Sequence, residues 1–369
     1  MHAMGLQLAQ RWAQNFPRWD GNGDGHIEPR ELYTQVGLAQ ASADDAAALA
    51  TLYREVLHES RGLEQMPSVD KSRLKAYLLT LGSRGMDLAF THFQAKIAGL
   101  GQTLAQGSAP SCALVSSSYA LMQREPDALR NMVSHRERGL QVKFPGESEA
   151  ILVTALSDTE KALHTPGLEA IEKAWGLHED PQTLAPIASA RGNGVDRVIT
   201  ALTGNPAQTQ LLPNAKVFDY LNAVIQKKRP GAPALTPPPI DPLLHDMERA
   251  LAGQAIVVTG TWKEVGLAGL ERDHAYTVIA CDPAQQTLRL RNPHGQGEPG
   301  QDGLDDGIFS LSVQDYLSNF NSVTIEQRRI NRGPRPSIAQ IRLTGSGRRT
   351  PTTVTSAPAT GPGRKSTNW

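Results

Sequence analysis

A proline-rich segment, "RPGAPALTPPPIDP" at residues 229–242, is the sequence feature that most limits how this chain folds. Proline lacks a backbone N–H and has a fixed φ angle, so such a segment is neither the interior of a helix nor a central strand. We expect it to be extended and to link two lobes. Apolar residues follow helical spacing before this segment and alternate as in strands after it, which indicates that the lobes differ in secondary structure.

Residues 1–99 contain segments in which apolar residues recur every three or four positions, and this spacing predicts a helical domain. Residues 100–228 contain a helix that begins near Cys112, short apolar runs typical of strands, and a helix at 167–177, so we expect a mainly helical lobe there. Residues 243–330 alternate polar and apolar side chains between turn signals, which predicts antiparallel strands. The chain is therefore predicted to be an α+β protein.

Charge and composition exclude several classes of function. Lysine plus arginine and aspartate plus glutamate number 37 each, so no net charge would attract nucleic acid, and we expect no nucleic-acid partner. The N-terminus lacks the pattern of a cleavable signal peptide, and no apolar run is long enough for a membrane span. We therefore expect a cytoplasmic protein, or one secreted without a cleavable signal peptide. Residues 331–369 are rich in Pro, Gly, Ser, Thr and Arg, which predicts a disordered basic tail.

The segment "DGNGDGHIEPRE", residues 20–31, has the spacing of a calcium-binding loop. Ca²⁺ prefers about six to eight hard oxygen ligands, and the EF-hand loop supplies them from alternate positions. A glycine at the sixth position, here Gly25, permits the sharp bend of such a loop. The predicted ligands are Asp20, Asn22, Asp24, the backbone carbonyl of His26, Glu28 acting through water, and bidentate Glu31.

EF-hands usually occur in pairs, and the eighth loop residue, here Ile27, is expected to pair with the neighbouring loop. The segment "HESRGLEQMPSVDKSRLKAYLL" at 58–79 occupies the position of a partner but lacks the series of oxygen ligands. We therefore expect a second, degenerate hand with intact helices and no metal.

The segment "ERDHAYTVIACDPAQQTLRLRNPHG", residues 271–295, has the pattern of a β-hairpin that turns after Asp282. If Asp282 faces Gln286, His274 and Asn292 lie on the same face, within reach of a side-chain hydrogen bond. Because side chains alternate along a strand, a register shift of one residue would place these two side chains on opposite faces. The pairing is thus a prediction that depends on the register.

An imidazole oriented by an amide is what a thiol nucleophile needs, because the other ring nitrogen can then accept the thiol proton. Cys112 follows "SAPS" at the start of a predicted helix, where the helix dipole and an imidazolium are expected to lower its pKa. The second cysteine, Cys281, lies within a strand and is the poorer candidate. Gln106 is placed to donate a hydrogen bond to an oxyanion together with the backbone N–H of Cys112.

Four segments, "QGSAPSC", "GLERDHAYTV", "LRLRNPHG" and "DDGIFSLSVQDYLSNFNSVTIEQ", resemble the protease core of calpains, and "GLEAIEKAWG" resembles a helix of that family. The resemblance covers about residues 100–327 in the right order. It implies a papain-like fold with a helical lobe and a β lobe. It also implies that Cys112 is the nucleophile, His274 the general base, Asn292 its orienting partner and Gln106 the oxyanion donor.

The sequence departs from the calpain pattern around the predicted nucleophile and base. Calpains have an aspartate and a tryptophan on the two sides of the cysteine, where this chain has Ser111 and Ala113. Their tryptophan after the asparagine and proline is His294 here. We expect His294 to fill that space, the alternative being that its titration couples to that of His274. The EF-hand precedes the core in this chain, whereas it follows the core in typical calpains.

The leading hypothesis from sequence is a calcium-responsive, calpain-like cysteine endopeptidase that attacks a polypeptide substrate and passes through an acyl-enzyme. One alternative is a deamidase or transglutaminase on the same fold, because the same residues serve whether water or an amine resolves the thioester. Another alternative is a calcium-binding interaction module without catalytic activity, in which the cleft only binds.

Overall fold

The computed structural model of the protein describes residues 3–59, 67–97, 105–179, 194–300 and 304–328. All of these residues belong to one unit that spans residues 1–329. The predicted basic tail and residues 60–66 of the predicted second EF-hand lie outside the described residues.

The N-terminal part of the chain is helical, and two very short strands join its two halves. The helices are α1 (Ala3–Trp19), α2 (Pro29–Gly37), α3 (Ala43–Glu59), α4 (Lys71–Leu79) and α5 (Met86–Ile97), and the strands are β1 (His26–Ile27) and β2 (Val69–Asp70). Strands β1 and β2 pair antiparallel, with Ile27 opposite Val69. Helix α3 carries a run of buried alanines, and their small side chains let α1 approach closely enough for the Trp12 indole N–H to donate to the Ala48 carbonyl at 2.9 Å.

The middle of the chain combines helices with a small antiparallel sheet. Its elements are α6 (Cys112–Arg124), α7 (Ala128–Asn131), β3 (Val133–Arg136), β4 (Gly139–Val142), β5 (Ile151–Val153), α8 (Asp158–Leu163), α9 (Glu169–Glu179) and α10 (Val195–Thr203). Helix α8 joins this part to the N-terminal helices, because Ala162 and Leu163 are buried in the same apolar core as Trp12. The Ser157 hydroxyl just before α8 also donates to the Val36 carbonyl of α2 at 2.6 Å.

A six-stranded antiparallel sheet dominates the C-terminal part. The elements are β6 (Ala207–Leu211), α11 (Ala215–Lys228), α12 (Asp241–Ala252), β7 (Val257–Thr261), β8 (Ala275–Asp282), β9 (Thr287–Arg291), β10 (Ile308–Ser312), α13 (Val313–Asn319) and β11 (Phe320–Glu326). The strand order is β10-β9-β8-β7-β11-β6. The described residues thus form a mixed fold of helices and antiparallel sheets, as the α+β prediction requires. No helix among them has both the length and the apolar character of a bilayer span.

The proline-rich segment begins with a turn, in which the Ala232 N–H donates to the Arg229 carbonyl at 3.1 Å, and then continues without helix or strand and mostly exposed. Helix α12 begins at Asp241, before the expected end of the linker. Strand β6 lies earlier in the chain, within the range predicted as the helical lobe, and it forms one edge of the six-stranded sheet. Its residues pair with β11, where the hydroxyls of Thr209 and Thr324 lie 2.9 Å apart. The chain therefore reaches the β sheet before it enters the proline-rich segment.

The register of the β8–β9 hairpin differs from the predicted register near the turn. Asp282 pairs with Thr287 rather than with Gln286, because the turn contains one more residue than predicted and Gln286 adopts a positive φ of 54°. The Asp282 carboxylate stabilises this longer turn by accepting the backbone N–H of Gln285 at 2.9 Å. A bulge between Val278 and Ala280 then shifts the register back by one residue. The far end of the hairpin therefore has the predicted alignment although its turn does not.

Helix α6 packs against strand β8 through two buried hydrogen bonds that both involve Ser116. Its hydroxyl donates to the Ala275 carbonyl at 3.1 Å, and its carbonyl accepts the Thr277 hydroxyl at 2.8 Å. These bonds fix the helix that begins at Cys112 against the strand that follows His274.

We expect Thr277→Val to lower the free energy of unfolding by about 1 kcal/mol, because it removes a buried hydrogen bond at nearly constant side-chain volume. Urea denaturation measures this change. The matched control is Thr34→Val, since the Thr34 side chain is exposed and its hydroxyl donates to the Arg30 carbonyl of the same helix at 2.9 Å. An equal effect of the two substitutions would contradict the role assigned to the contact between α6 and β8.

Candidate active site

A cavity of about 700 Å³ lies where the N-terminal helices, the start of α6 and the loop before β8 meet. It is lined by Arg54, Leu57, Gly85, Leu88, Ala89, His92, Phe93, Gln106, Gly107, Ser108, Ala109, Pro110, Cys112, Glu271, Asp273, His274, His294, Gln296 and Gly297. The structure thus brings three of the four predicted catalytic residues, Gln106, Cys112 and His274, to one cavity.

The fourth residue, Asn292, lies behind His274 and is completely buried. Its Oδ1 atom is 3.2 Å from His274 Nε2, and its Nδ2 atom donates to the Gly297 carbonyl at 2.9 Å. The bond to Gly297 fixes the amide so that its oxygen faces the imidazole. His274 Nε2 therefore carries a proton, and in the neutral ring Nδ1 is the atom with the free lone pair.

The environment of His274 favours the uncharged imidazole. The pKa of His274 is lowered to about 4, mainly by burial; the neighbouring His294 also lowers it, whereas Glu271 and Asn292 raise it. The ring of Tyr276 meets the imidazole edge-on at a centroid distance of 5.1 Å. His274 is accordingly a neutral hydrogen-bond partner and proton acceptor at pH 7.

Cys112 is the first residue of α6 and lies close to the backbone N–H groups of Ala113 and Ala275. Burial raises the pKa of its thiol, and the hydrogen bonds from these backbone groups offset only part of that effect. This direction is opposite to the lowered thiol pKa expected from sequence, because the loss of hydration outweighs the backbone hydrogen bonds. At rest the thiol and the imidazole are both uncharged.

The start of α6 rests on a buried carboxylate that the sequence analysis missed. Glu172 of α9 accepts the Ser111 hydroxyl at 2.5 Å and the backbone N–H of Thr165 at 2.6 Å. Burial raises the pKa of Glu172 to about 7, although these hydrogen bonds lower it. A signal was present in the sequence, since Glu172 lies four residues after Leu168 and hence on the apolar face of its helix.

Gln106 connects the two sides of the cavity. Its backbone N–H donates to the Pro293 carbonyl at 2.8 Å, next to Asn292, and its side-chain amide donates to the Ala109 carbonyl at 2.8 Å. An amide group has two N–H donors. One of them is used by Ala109, and Gln106 lines the same cavity as Cys112.

His294 and Glu271 occupy the side of His274 that faces the cavity. The rings of His274 and His294 stack in parallel, with centroids 5.0 Å apart and an interplanar angle of 7°. Glu271 Oε2 lies 3.4 Å from His294 Nε2 and 3.9 Å from His274 Nδ1. His294 therefore covers one face of the His274 ring, while Glu271 adds a carboxylate that spacing in the sequence did not indicate.

The second cysteine, Cys281, lies outside the residues that line this cavity. Its thiol packs beside the apolar core of the large sheet and lies 3.5 Å from the Leu244 carbonyl. Burial raises its pKa to about 11. Nothing in its surroundings activates this thiol as a nucleophile.

The predicted calcium loop forms the sharp bend that its glycine predicts, with Gly25 at φ 88°. The Asp20 carboxylate accepts the backbone N–H groups of Gly23 and Gly25, both at 2.9 Å. Glu31 folds back over the loop, and its two oxygens accept the N–H groups of Asn22 and Glu28 at 3.0 and 2.9 Å. The loop thus carries carboxylate and amide oxygens of the kind that Ca²⁺ prefers. These oxygens accept the loop's own N–H groups, and no three of its carboxylates lie within 4.8 Å of one another, so they would have to turn inward to bind an ion.

Comparison with models of known protein families gave no match, and a search of curated proteins found none either. The resemblance to calpains therefore rests on the sequence motifs.

We expect His274 to titrate in the folded protein with a midpoint near pH 4, against about 6.5 for an unfolded histidine. Because the folded-state pKa is depressed, the unfolded state binds more protons between these values, so the contribution of His274 to stability rises with pH from about 4 to about 6.5. NMR of histidine side chains measures the midpoint, and His274→Gln assigns the signal. His294→Gln should raise the midpoint, since the neighbouring His294 lowers the pKa of His274. A midpoint near 6.5 in the unsubstituted protein would contradict the burial of this ring.

Proposed function

We propose that this chain is a calpain-like cysteine endopeptidase that responds to calcium. The observation that carries the proposal is the buried pair of His274 Nε2 and Asn292 Oδ1, 3.2 Å apart, beside a cavity that Cys112 lines from the start of α6. This combination supplies a nucleophile, an oriented base and backbone N–H groups for an oxyanion.

In the proposed reaction the Cys112 thiol attacks a peptide carbonyl while its proton passes to His274 Nδ1. Nε2 does not take part, because it already donates to Asn292. The negative charge that develops on the carbonyl oxygen is stabilised by the N–H of Cys112 and by the Gln106 amide. The imidazolium then returns its proton to the departing amine, and water hydrolyses the thioester that remains on Cys112.

The electrostatics of the resting site favour a proton transfer that accompanies the attack. A pKa raised at Cys112 and a pKa of about 4 at His274 both oppose a preformed pair of thiolate and imidazolium. Asn292 accepts a hydrogen bond from the ring in both protonation states, so it can stabilise the imidazolium when it forms. His274 therefore acts as a general base during the reaction rather than as a stored cation.

The substrate we propose is a polypeptide that enters between the N-terminal helices and the base. Arg54 and Leu57 of α3 and Leu88 and Phe93 of α5 form the wall opposite Glu271 and His294. This wall mixes a cation with apolar side chains, which suits a peptide segment that carries both kinds of residue.

The calcium response that we propose depends on the loop at residues 20–31, with its side-chain oxygens as ligands. A bound Ca²⁺ would neutralise the loop carboxylates and hold α1 and α2 at a fixed angle. Helix α2 contacts the rest of the protein through the bond between Val36 and Ser157, and α3, which packs on α1, lines the cavity with Arg54. These contacts connect the loop to the wall of the cavity.

We expect the full-length protein to cleave casein in the presence of Ca²⁺ and to lose this activity in Cys112→Ala. His274→Ala should lower kcat/KM by roughly 10²–10⁴, the contribution typical of a general base. Cys281→Ala is the matched control and should keep the activity, because Cys281 lies outside the cavity. Gel electrophoresis of casein digests measures the cleavage.

Labelling of Cys112 by a peptide-like electrophile serves as the companion measurement. Labelling without cleavage would favour a deamidase or a transglutaminase. If Cys112 is not labelled and casein is not cleaved, with or without calcium, the proposal that the chain is an enzyme is contradicted. The alternative of a non-catalytic calcium-binding module would then remain.

We expect Glu31→Gln to weaken Ca²⁺ binding by at least about tenfold, because it removes the bidentate carboxylate at the end of the loop. Calorimetric titration measures the affinity. Glu137→Gln, at an exposed turn between β3 and β4, is the control. Equal affinities of the two variants would exclude the loop as the binding site.

A further inference from the structure

Glu271 and His294 lie beside His274, although the proposed thiol reaction requires neither of them. The nucleophile and the base need an open path between Cys112 and His274 Nδ1, yet the Glu271 carboxylate lies 3.9 Å from that nitrogen. One ligand atom from each of the three residues lies within 4.8 Å of the others, and among the described residues no other group of His, Cys, Asp and Glu side chains does so.

We propose that these three residues form a binding site for Zn²⁺ or a similar divalent transition metal. In a tetrahedral zinc site with bonds of about 2.0–2.2 Å, ligand atoms lie roughly 3.3 Å apart. The distance from Glu271 Oε2 to His294 Nε2 is 3.4 Å, and that to His274 Nδ1 is 3.9 Å. The first distance already matches this geometry, and a rotation of the Glu271 side chain would bring the second to it. Because an imidazole binds a metal in its ring plane, the stacked rings of His274 and His294 must also turn so that both lone pairs meet at one point.

The surroundings of His274 support a role as a ligand. Histidines that bind metals usually donate their second ring N–H to a carbonyl or carboxylate, which fixes the tautomer. His274 Nε2 makes this bond to Asn292 Oδ1, which leaves the lone pair of Nδ1 on the side of Glu271. Glu271 is itself held in place, because its backbone N–H donates to the Tyr276 hydroxyl at 2.9 Å and its carbonyl accepts the Thr261 hydroxyl at 2.7 Å.

The donor set distinguishes this site from the calcium loop. Two imidazoles and one carboxylate suit Zn²⁺, whereas Ca²⁺ is bound by oxygen ligands alone. All three side chains line the cavity, as does Cys112. The fourth coordination position therefore opens to the cavity, where water or the Cys112 thiolate can occupy it.

Occupation of this site would switch the enzyme off, and this consequence rests on the proposed function. A metal bound at His274 Nδ1 uses the lone pair that must accept the proton of Cys112. The ion would also stand between the thiol and a substrate carbonyl. Zn²⁺ would thus inhibit at the base itself, while Ca²⁺ acts at a separate loop.

Calorimetric titration of the full chain with Zn²⁺, in excess Ca²⁺, tests the site. We expect Glu271→Gln and His294→Gln each to weaken Zn²⁺ binding by at least about tenfold. The control variants are His178→Gln and His245→Gln, whose rings lie 3.4 and 3.3 Å from a single carboxylate, and they should leave the affinity unchanged. Circular dichroism shows that each variant is folded.

The visible absorption of bound Co²⁺ gives a second readout that does not depend on activity. We expect the unsubstituted protein to show the intense absorption bands of Co²⁺ that has a low coordination number. Glu271→Gln should lose these bands. Absence of Zn²⁺ binding, or equal affinities in all four variants, would overturn the proposal. The same titration on Cys112→Ala should still show binding, because the three ligands remain.

Casein cleavage with and without Zn²⁺ separates the site from its effect. In excess Ca²⁺, we expect Zn²⁺ to abolish cleavage, and a chelator that binds Zn²⁺ much more tightly than Ca²⁺ to restore it. Zn²⁺ binding without loss of cleavage would reject the inhibitory role. If the metal-free protein does not cleave casein, the proposed function and the inhibition fail together, while the titration still decides whether the site exists.

Discussion

The contact between α6 and β8 is the interaction on which the whole candidate site depends. Cys112 begins the helix and His274 precedes the strand, so their relative position is set where Ser116 exchanges two buried hydrogen bonds with Ala275 and Thr277. Buried hydrogen bonds of this kind are directional and costly to leave unpaired, which makes them good determinants of alignment. A nucleophile and a base from distant parts of the chain are thereby held beside one cavity.

The second constraint is burial, which decides the protonation of the site. Loss of hydration raises the pKa of Cys112 and lowers that of His274. His294 stacks over the His274 ring and keeps it covered, and the Glu271 carboxylate lies beside both imidazoles. This side of His274 therefore carries polar groups, which are the groups that we propose bind a metal ion.

Much of this arrangement could be predicted from sequence, because helical and strand periodicities are local and strong. The pairing of His274 with Asn292 was also predicted, although the turn register from which it was deduced is wrong at Asp282. A bulge after Val278 compensates for the longer turn, and no local sequence pattern predicts this bulge. Strand β6 could not be predicted, because its polar sequence "AQTQL" becomes a strand only through its pairing with β11. The role of Glu271 depends on where the loop before β8 brings its carboxylate, which spacing alone does not reveal.

The central claim is that Cys112 and His274 form a thiol–imidazole pair that is uncharged at rest and exchanges its proton only during attack. The pH dependence of Cys112 alkylation by iodoacetamide tests this claim most directly. It is measured in the Cys281→Ala variant, so that only the Cys112 thiol is alkylated. The account predicts a rate that rises through a single ionisation above about pH 8.5, the ordinary value of a thiol. A plateau of high reactivity that begins below about pH 7 would show a preformed thiolate and would contradict the account.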